Sequence, residues 1–328
     1  MLPHFRKMTY IEEYKEGNKF LGIYLCKSKQ VLKTKAGKTY YSLILQDKTG
    51  IIDGKVWDLN NGIEDFGSMD FIMVNGMVTS FQGARQVNVN RIRKAQEGEY
   101  NPADYIPASK YDIEEMYDEL KAVINSIKEP HLKELAEKCY IQDTEFARKF
   151  KLHSAAKSIH HGFIGGLLQH TLAVAKMCIF MADNYSILDR DLLVTAAIFH
   201  DVGKVYELSE FPYNDYTDDG QLLGHIFLGA EIIGTKVKEI PGFPEVLASE
   251  LRHCILAHHR ELEFGSPKKP AIAEAMALAF ADNADARLET MTEIYEKSDP
   301  GTEWLGYNRI FDSNIRQSTG CAQKRKNG

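Results

Sequence analysis

The chain has 328 residues, 44% of them hydrophobic and 26% charged, which allows about two domains and a large core without help from disulfides. Its five cysteines, Cys26, Cys139, Cys178, Cys254 and Cys321, form no CxxC pair, which excludes a disulfide framework and a zinc ribbon and fits reduced thiols in the cytoplasm. The net charge of −6 hides an asymmetry: residues 1–95 hold 15 Lys and Arg against 9 Asp and Glu, the remainder 25 against 37, so a basic module on an acidic body suggests a polyanionic partner for the first part.

No apolar core near Met1 marks a signal peptide. The most apolar long run, 164–182, is interrupted by Gln169, His170 and Lys176, so it reads as a buried helix and not a membrane span. Residues 38–46 are β-prone and lead into the turn Asp47-Lys48-Thr49-Gly50, with further strands expected at 51–57, 71–80 and 85–92. Short strands joined by Gly, Asn and Asp turns predict a small antiparallel β-barrel over residues 1–97. In 51–57 the alternation places Asp53, Lys55 and Trp57 opposite Ile52, Gly54 and Val56, so Lys55 and Trp57 can face a nucleic-acid strand. Tyr40, Phe81, Arg85 and Arg91 are further candidates, although aromatic residues in a small barrel are more often core than platform.

Residues 98–110 are polar, contain Pro102 and Pro107, and read as a linker. From Tyr111 the period becomes helical, which predicts an all-α domain over 111–300 with helices near 112–127, 130–140, 143–151, 164–183, 190–200, 224–238, 244–258 and 270–297. Residues 301–328 form a C-terminal extension rich in turn residues, with a basic, frayed end at Lys324-Arg325-Lys326.

The doublet His200-Asp201 closes an apolar stripe in which Leu193, Ala196, Ala197 and His200 share one helical face. A histidine and an acid at the buried end of such a stripe are costly unless something pairs with them, and a metal ion would do so. His170 shares a face with Leu167, Thr171 and Val174; His225 is in line with Leu228 and Ile232; His258 and His259 end a helix; Asp282 lies on a stripe with Ala275, Ala279 and Ala286. A lone inward histidine is more often a hydrogen-bonded core residue than a ligand. Five inward polar positions together point to metal.

Imidazole and carboxylate donors suit Mn, Fe, Zn, Ni or Co. His170, His200, Asp201 and Asp282 would hold one ion, and Asp201 would bridge to a second held by His225 and His258. Two ions roughly 3.5–4 Å apart activate a water and stabilise the leaving oxygen in phosphoester cleavage. His259 reads equally as ligand, ligand support or surface residue. Lys204, one helical turn after Asp201, would hold a phosphate oxygen; its plain alternative is a solvated helix-end lysine. His160 and His161 precede the His170 helix and could touch substrate or be loop residues.

His170, His200-Asp201 and Asp282 match the H…HD…D signature of the HD-domain metal-dependent phosphohydrolases, and His225 and His258 match the extra histidines of the two-metal members. The run from Tyr41 to Trp57 resembles an OB-fold of the anticodon-binding type. An OB-fold followed by an HD domain, together with the segment from His160 to Leu172, resembles the YhaM-type 3′-to-5′ exoribonucleases over about residues 1–310. The resemblance implies a manganese-preferring exonuclease that acts on single-stranded RNA, with single-stranded DNA as a further substrate, and releases nucleoside 5′-monophosphates. It does not explain the basic tail.

Two rivals stand beside this reading. An HD phosphodiesterase or phosphatase acting on a small nucleotide would use the same histidines but gives no reason for a barrel. A single-strand-binding regulatory protein with a structural HD domain gives no reason for an intact ligand set with Lys204. Oligomeric state is not readable from the sequence.

Overall fold

Alternation of buried and solvent-facing residues builds the first unit. The strands are β1 (Lys19–Lys33), β2 (Thr39–Asp47), β3 (Gly50–Val56), β4 (Phe71–Phe81) and β5 (Ala84–Lys94). In β4, Ile72, Val74 and Val78 point inward, and Val87, Val89 and Ile92 of β5 meet them. In a computed structural model that describes residues 9–60, 62–81, 84–101, 104–157, 161–296, 298–299 and 301–327, these strands close into a barrel in the order β1-β2-β3-β5-β4. β3 and β5 pair in parallel; the other pairs are antiparallel. Closure leaves no free sheet edge, and this strand order makes the barrel an OB-fold.

β1 was not among the expected strands. Its alternation is erased because both faces are covered: Tyr24 and Cys26 enter the barrel core, while Ile23 and Leu25 pack outside it with Tyr105. Tyr100 stacks on Phe71 with ring centroids 4.0 Å apart, so the polar stretch after β5 lies against the barrel wall. The turn after β2 is fixed by Asp47, whose Oδ1 accepts from the Thr49 amide at 2.8 Å and whose Oδ2 accepts from the Ile11 amide at 2.7 Å.

The chain divides into two units. One ends at Ala108 and takes in Glu210–Tyr213; the other holds Ser109–Ser209 and the chain from Asn214 onward. The second unit is helical: α1 (Ile113–Asn125), α2 (Pro130–Glu137), α3 (Thr144–Leu152), α4 (Gly166–Asn184), α5 (Arg190–Phe199), α6 (Lys204–Glu207), α7 (Asp218–Leu222), α8 (Gly224–Val237), α9 (Glu245–Ala257) and α10 (Ala273–Glu296). Aspartates cap α1, α3 and α5: Asp112, Asp143 and Asp189 each accept from a backbone amide of the first turn. α5 is buried on every side from Leu192 to Phe199, with Thr195 the one polar side chain in that stretch, and α4, α9 and α10 pack against it. That arrangement directs the end of α5, with His200 and Asp201, into the interior.

The expected frayed tail is a correction. Residues after 301 form a hairpin of β6 (Trp304–Asn308) and β7 (Ser313–Arg316) followed by α11 (Thr319–Asn327). Ile315, Gln317 and Ala322 are buried, and the Arg325 guanidinium donates to the Ser298 carbonyl at 2.9 Å. Turn residues hid a hairpin whose two short strands pair with each other across a tight turn. Among the described residues no helix is long and apolar enough to cross a membrane.

Gly203 carries the turn after Asp201 onto α8. A Cβ there would sit 2.1 Å from the His225 carbonyl oxygen and 2.6 Å from the Gly229 amide nitrogen, both backbone atoms that cannot rotate away. Gly203→Ala is expected to destabilise the helical unit by about 3 kcal/mol, the upper range for overpacking, read as a lower urea midpoint. An unchanged midpoint would show that the turn is not seated on α8 in this way.

Candidate metal centre and nucleic-acid surface

Each histidine of the site has its ring turned by a partner on Nδ1. His200 follows the last turn of α5 and donates from Nδ1 to the Ala197 carbonyl at 2.7 Å; His258 follows the last turn of α9 and donates to the Ile255 carbonyl at 2.6 Å. Both use a carbonyl three residues back that the ending helix leaves without an amide. His170, inside α4, donates from Nδ1 to Asp285 Oδ2 at 2.6 Å. His225, in the first turn of α8, donates from Nδ1 to Glu207 Oε1 at 2.9 Å, and its amide donates to the same oxygen at 3.0 Å. His259 donates from Nδ1 to the Phe264 carbonyl at 2.8 Å. A neutral imidazole carries one proton, so each of the five rings, when neutral, presents a bare Nε2.

Those lone pairs converge on carboxylates. His170 Nε2 and His200 Nε2 are 3.1 Å apart, and lie 3.4 and 3.3 Å from Asp201 Oδ2. Asp282 Oδ1 stands 3.2 Å from His170 Nε2. On the other side, Asp201 Oδ1 is 3.6 Å from His225 Nε2 and 3.8 Å from His258 Nε2. His259 joins this second group, its ring centroid 4.2 Å from that of His258. Asp201 Oδ1, His225 Nε2 and His258 Nε2 are buried and accept no hydrogen bond; Asp201 Oδ2 meets Lys204 Nζ at 2.7 Å as an ion pair outside hydrogen-bond geometry.

Acceptors facing acceptors in a buried pocket repel unless a cation lies among them. A proton can play that part. Burial works against charging His170, but Asp201, Asp282 and Asp285 raise it well above the ordinary imidazole range. Burial, and then His259, lower His258 well below that range. The Asp201 carboxyl is pushed up by burial yet drawn well below the usual range by Lys204 and His200; Asp285, also pushed up by burial, is brought down to about 2 by His161 and His170. The donors are nitrogen and oxygen only, with no cysteine in any of the clusters, and they fit a divalent cation of the Mn, Fe, Zn, Ni or Co group.

The remaining expected residues are placed as follows. Lys204 is largely buried at the start of α6, not solvated at a helix end; burial opposes its charge, and Asp201 raises its ammonium above the usual lysine range. His161 is buried and sits 3.1 Å from Asp285 Oδ2 through Nε2. His160 lies outside the described residues. In the barrel, Trp57 stacks on Tyr40 with centroids 4.7 Å apart, and its Nε1 donates to Asn88 Oδ1 at 3.2 Å. Lys55 donates to Ser42 Oγ at 2.7 Å and pairs with Asp53 at 2.8 Å. Arg85 donates to the Tyr14 carbonyl at 2.6 Å, Phe81 is exposed, and Arg91 is exposed across β4 from Asn75. Tyr40, Lys55 and Trp57 thus come together on the β2–β3 face, and Phe81 with Arg85 at the β4–β5 end, the two places where OB-folds take oligonucleotides.

Asp285 and Glu207, which turn His170 and His225, escaped the sequence reading. Asp285 had a signal, three residues after Asp282 and so on the same face of α10. Glu207 had none, because its partner depends on how α6 meets α8.

Burial opposes a second proton on His170 but Asp201, Asp282 and Asp285 favour it, and a metal ion would compete with that proton, so lower pH is expected to weaken metal binding. Calorimetry in buffers of different ionisation enthalpy should show proton release on binding, and pH-independent affinity would contradict the protonation of His170 by its three aspartates. Asp285→Asn keeps shape but removes the charge behind His170, and is expected to lower metal affinity about 10–100-fold.

Comparison with known proteins places this geometry. The HD-domain family model matches residues 167–287. The 3′-5′ exoribonuclease YhaM of Geobacillus sp. (strain WCH70) is 33% identical over 296 residues, 87% of this chain and 90% of that protein. The 3′-5′ exoribonuclease YhaM of Bacillus subtilis (strain 168) is 34% identical over 268 residues, 81% of this chain and 84% of that protein. Among solved structures, the second OB-fold domain of replication protein A from Methanococcus maripaludis covers 27% of this chain and 96% of that chain at 21% identity, with a TM-score of 0.22. With a third of its residues identical over 87% of its length, and with the HD domain carrying the histidine and aspartate cluster, the chain belongs to the YhaM 3′-5′ exoribonuclease family.

Proposed function

We propose that this protein is a metal-dependent 3′-5′ exoribonuclease that trims single-stranded RNA, and single-stranded DNA as a further substrate, to nucleoside 5′-monophosphates. The observation that carries the reading is the Asp201 carboxylate, with one oxygen toward His170 and His200 and the other toward His225 and His258. His170, His200, Asp201 and Asp282 would hold one ion, and His225, His258 and Asp201 a second, with His259 beside it; manganese suits such donors. Bound ions supply an acidified water and charge compensation for the leaving oxygen.

The chain's own residues do the rest. Asp285 and Glu207 keep His170 and His225 in the tautomer that offers Nε2. Lys204 stands at the carboxylate edge of the cluster, where its ammonium can hold a phosphate oxygen. His161 braces Asp285 beside the substrate path. The division of labour follows the sequence boundaries. Residues 1–97 retain the strand and 111–300 cut it, with 98–110 as the connection and 301–328 as an extension. In the barrel, the Tyr40–Trp57 stack offers the base platform, with Phe81, Lys55, Arg85 and Arg91 around it.

Two substitutions separate the roles. Asp201→Asn is expected to lower RNA degradation by more than about 100-fold, beyond the effect of disturbing a ligand's support, while RNA binding persists. Trp57→Ala is expected to weaken RNA binding by about 1–3 kcal/mol while the metal stays bound. Degradation of a labelled oligonucleotide and fluorescence anisotropy read the two effects. Undiminished degradation by the Asp201 variant, or hydrolysis of small nucleotides with RNA left intact by the unmodified protein, would overturn the reading.

A further inference from the structure

The cavity above the metal cluster, about 530 Å³, has a second wall that the chemistry described so far leaves unused. It carries Arg260, Phe264 and Arg287. Small residues, Ala155, Ala156, Ala279 and Ala286, line the cavity and leave it open. Its size suits a bound small molecule or the end of a chain.

The two arginines face the cavity with no carboxylate among the described residues to neutralise them. Arg93, Arg148, Arg190 and Arg316 each pair with a carboxylate. Among the described residues Arg260 and Arg287 make no ion pair. Arg260 lays its guanidinium 5.1 Å from the centre of the Phe280 ring, and Arg287 donates from Nε to Asn283 Oδ1 at 3.1 Å, one turn back on α10. Both are thereby held in place while keeping donors in hand. Arg260 also adopts φ +67°, a left-handed conformation that a residue with a Cβ rarely takes. Phe264 is an exposed residue, yet its carbonyl is fixed by His259 Nδ1, so it is tied by backbone to the metal cluster.

We propose that this wall seats the 3′-terminal nucleotides of the substrate. Arg260 and Arg287 hold the internucleotide phosphate adjoining the one that is cut, and Phe264 stacks a base. The chemistry is that of phosphate recognition by planar guanidinium groups beside an aromatic face. The inference rests on the exoribonuclease reading and adds the residues that hold the strand's end beside the metals.

The test uses the full chain with Mn²⁺, a short RNA of about six nucleotides, and the variants Arg260→Gly, Arg287→Gln and Phe264→Ala. Each arginine variant is expected to raise KM about tenfold, the loss of one charged hydrogen-bond contact, with a far smaller change in kcat. Each should also flatten the plot of log KM against log salt by about 0.7, the signature of one single-strand phosphate contact. Phe264→Ala is expected to raise KM about fivefold or more without altering that slope. Arg260→Gly places glycine where φ is positive, so its melting temperature should not fall, and a weaker grip on RNA cannot then be ascribed to unfolding. Unchanged KM and salt slope in both arginine variants would overturn the subsite. The unmodified protein run in parallel on bis(4-nitrophenyl) phosphate tells the two failures apart: if it cleaves that diester and spares RNA, the exoribonuclease reading has failed.

Discussion

One constraint organises the helical unit: five histidines each give their Nδ1 proton to a fixed acceptor. Two of those acceptors are carbonyls freed by a helix end, two are carboxylates, and one is a loop carbonyl. None is the metal's own chemistry. Together they oblige every ring to turn a bare nitrogen toward Asp201 or its surroundings, and a buried set of facing lone pairs needs a cation. Metal binding is therefore written into hydrogen bonds one layer outside the ligands.

The same constraint explains why the surrounding fold is so tightly built. α5 must be buried on every side because its end carries His200 and Asp201 into the core. Gly203 must lack a side chain because the turn that holds Asp201 rests on the backbone of α8. Asp201, Asp282, Asp285 and Glu207 bring four negative charges together, and Lys204 and a readily protonated His170 offset only part of them, an excess that divalent ions would balance. The acidic balance of this half of the sequence reflects that need locally, while Arg260 and Arg287 line the cavity beside the cluster.

Much of this was legible in the sequence. Helical spacing placed His170, His200, Asp201 and Asp282 inward, because a 3.6-residue period reports burial directly. The β-barrel was visible through β2 to β5 but not β1, whose two covered faces remove the alternation on which strand reading depends. The residues that orient the ligands were harder. Asp285 could be inferred from its place one turn after Asp282, whereas Glu207 depends on the meeting of α6 and α8. The C-terminal hairpin and α11 were hidden because the strands are short and rich in turn residues, and because Arg325 and Gln317 are tied to Ser298, contacts that no local pattern reports. On the barrel surface, alternation gave the side of Lys55 and Trp57 but not that Lys55 is engaged by Asp53 and Ser42.

The most direct test of the central claim is anomalous diffraction at the manganese edge from crystals grown with Mn²⁺. The account predicts two peaks about 3.5–4 Å apart on either side of the Asp201 carboxylate, one against Nε2 of His170 and His200 and one against Nε2 of His225 and His258. Rings turned so that Nδ1 faces Asp201, with no peak between the histidines and the carboxylates, would contradict it.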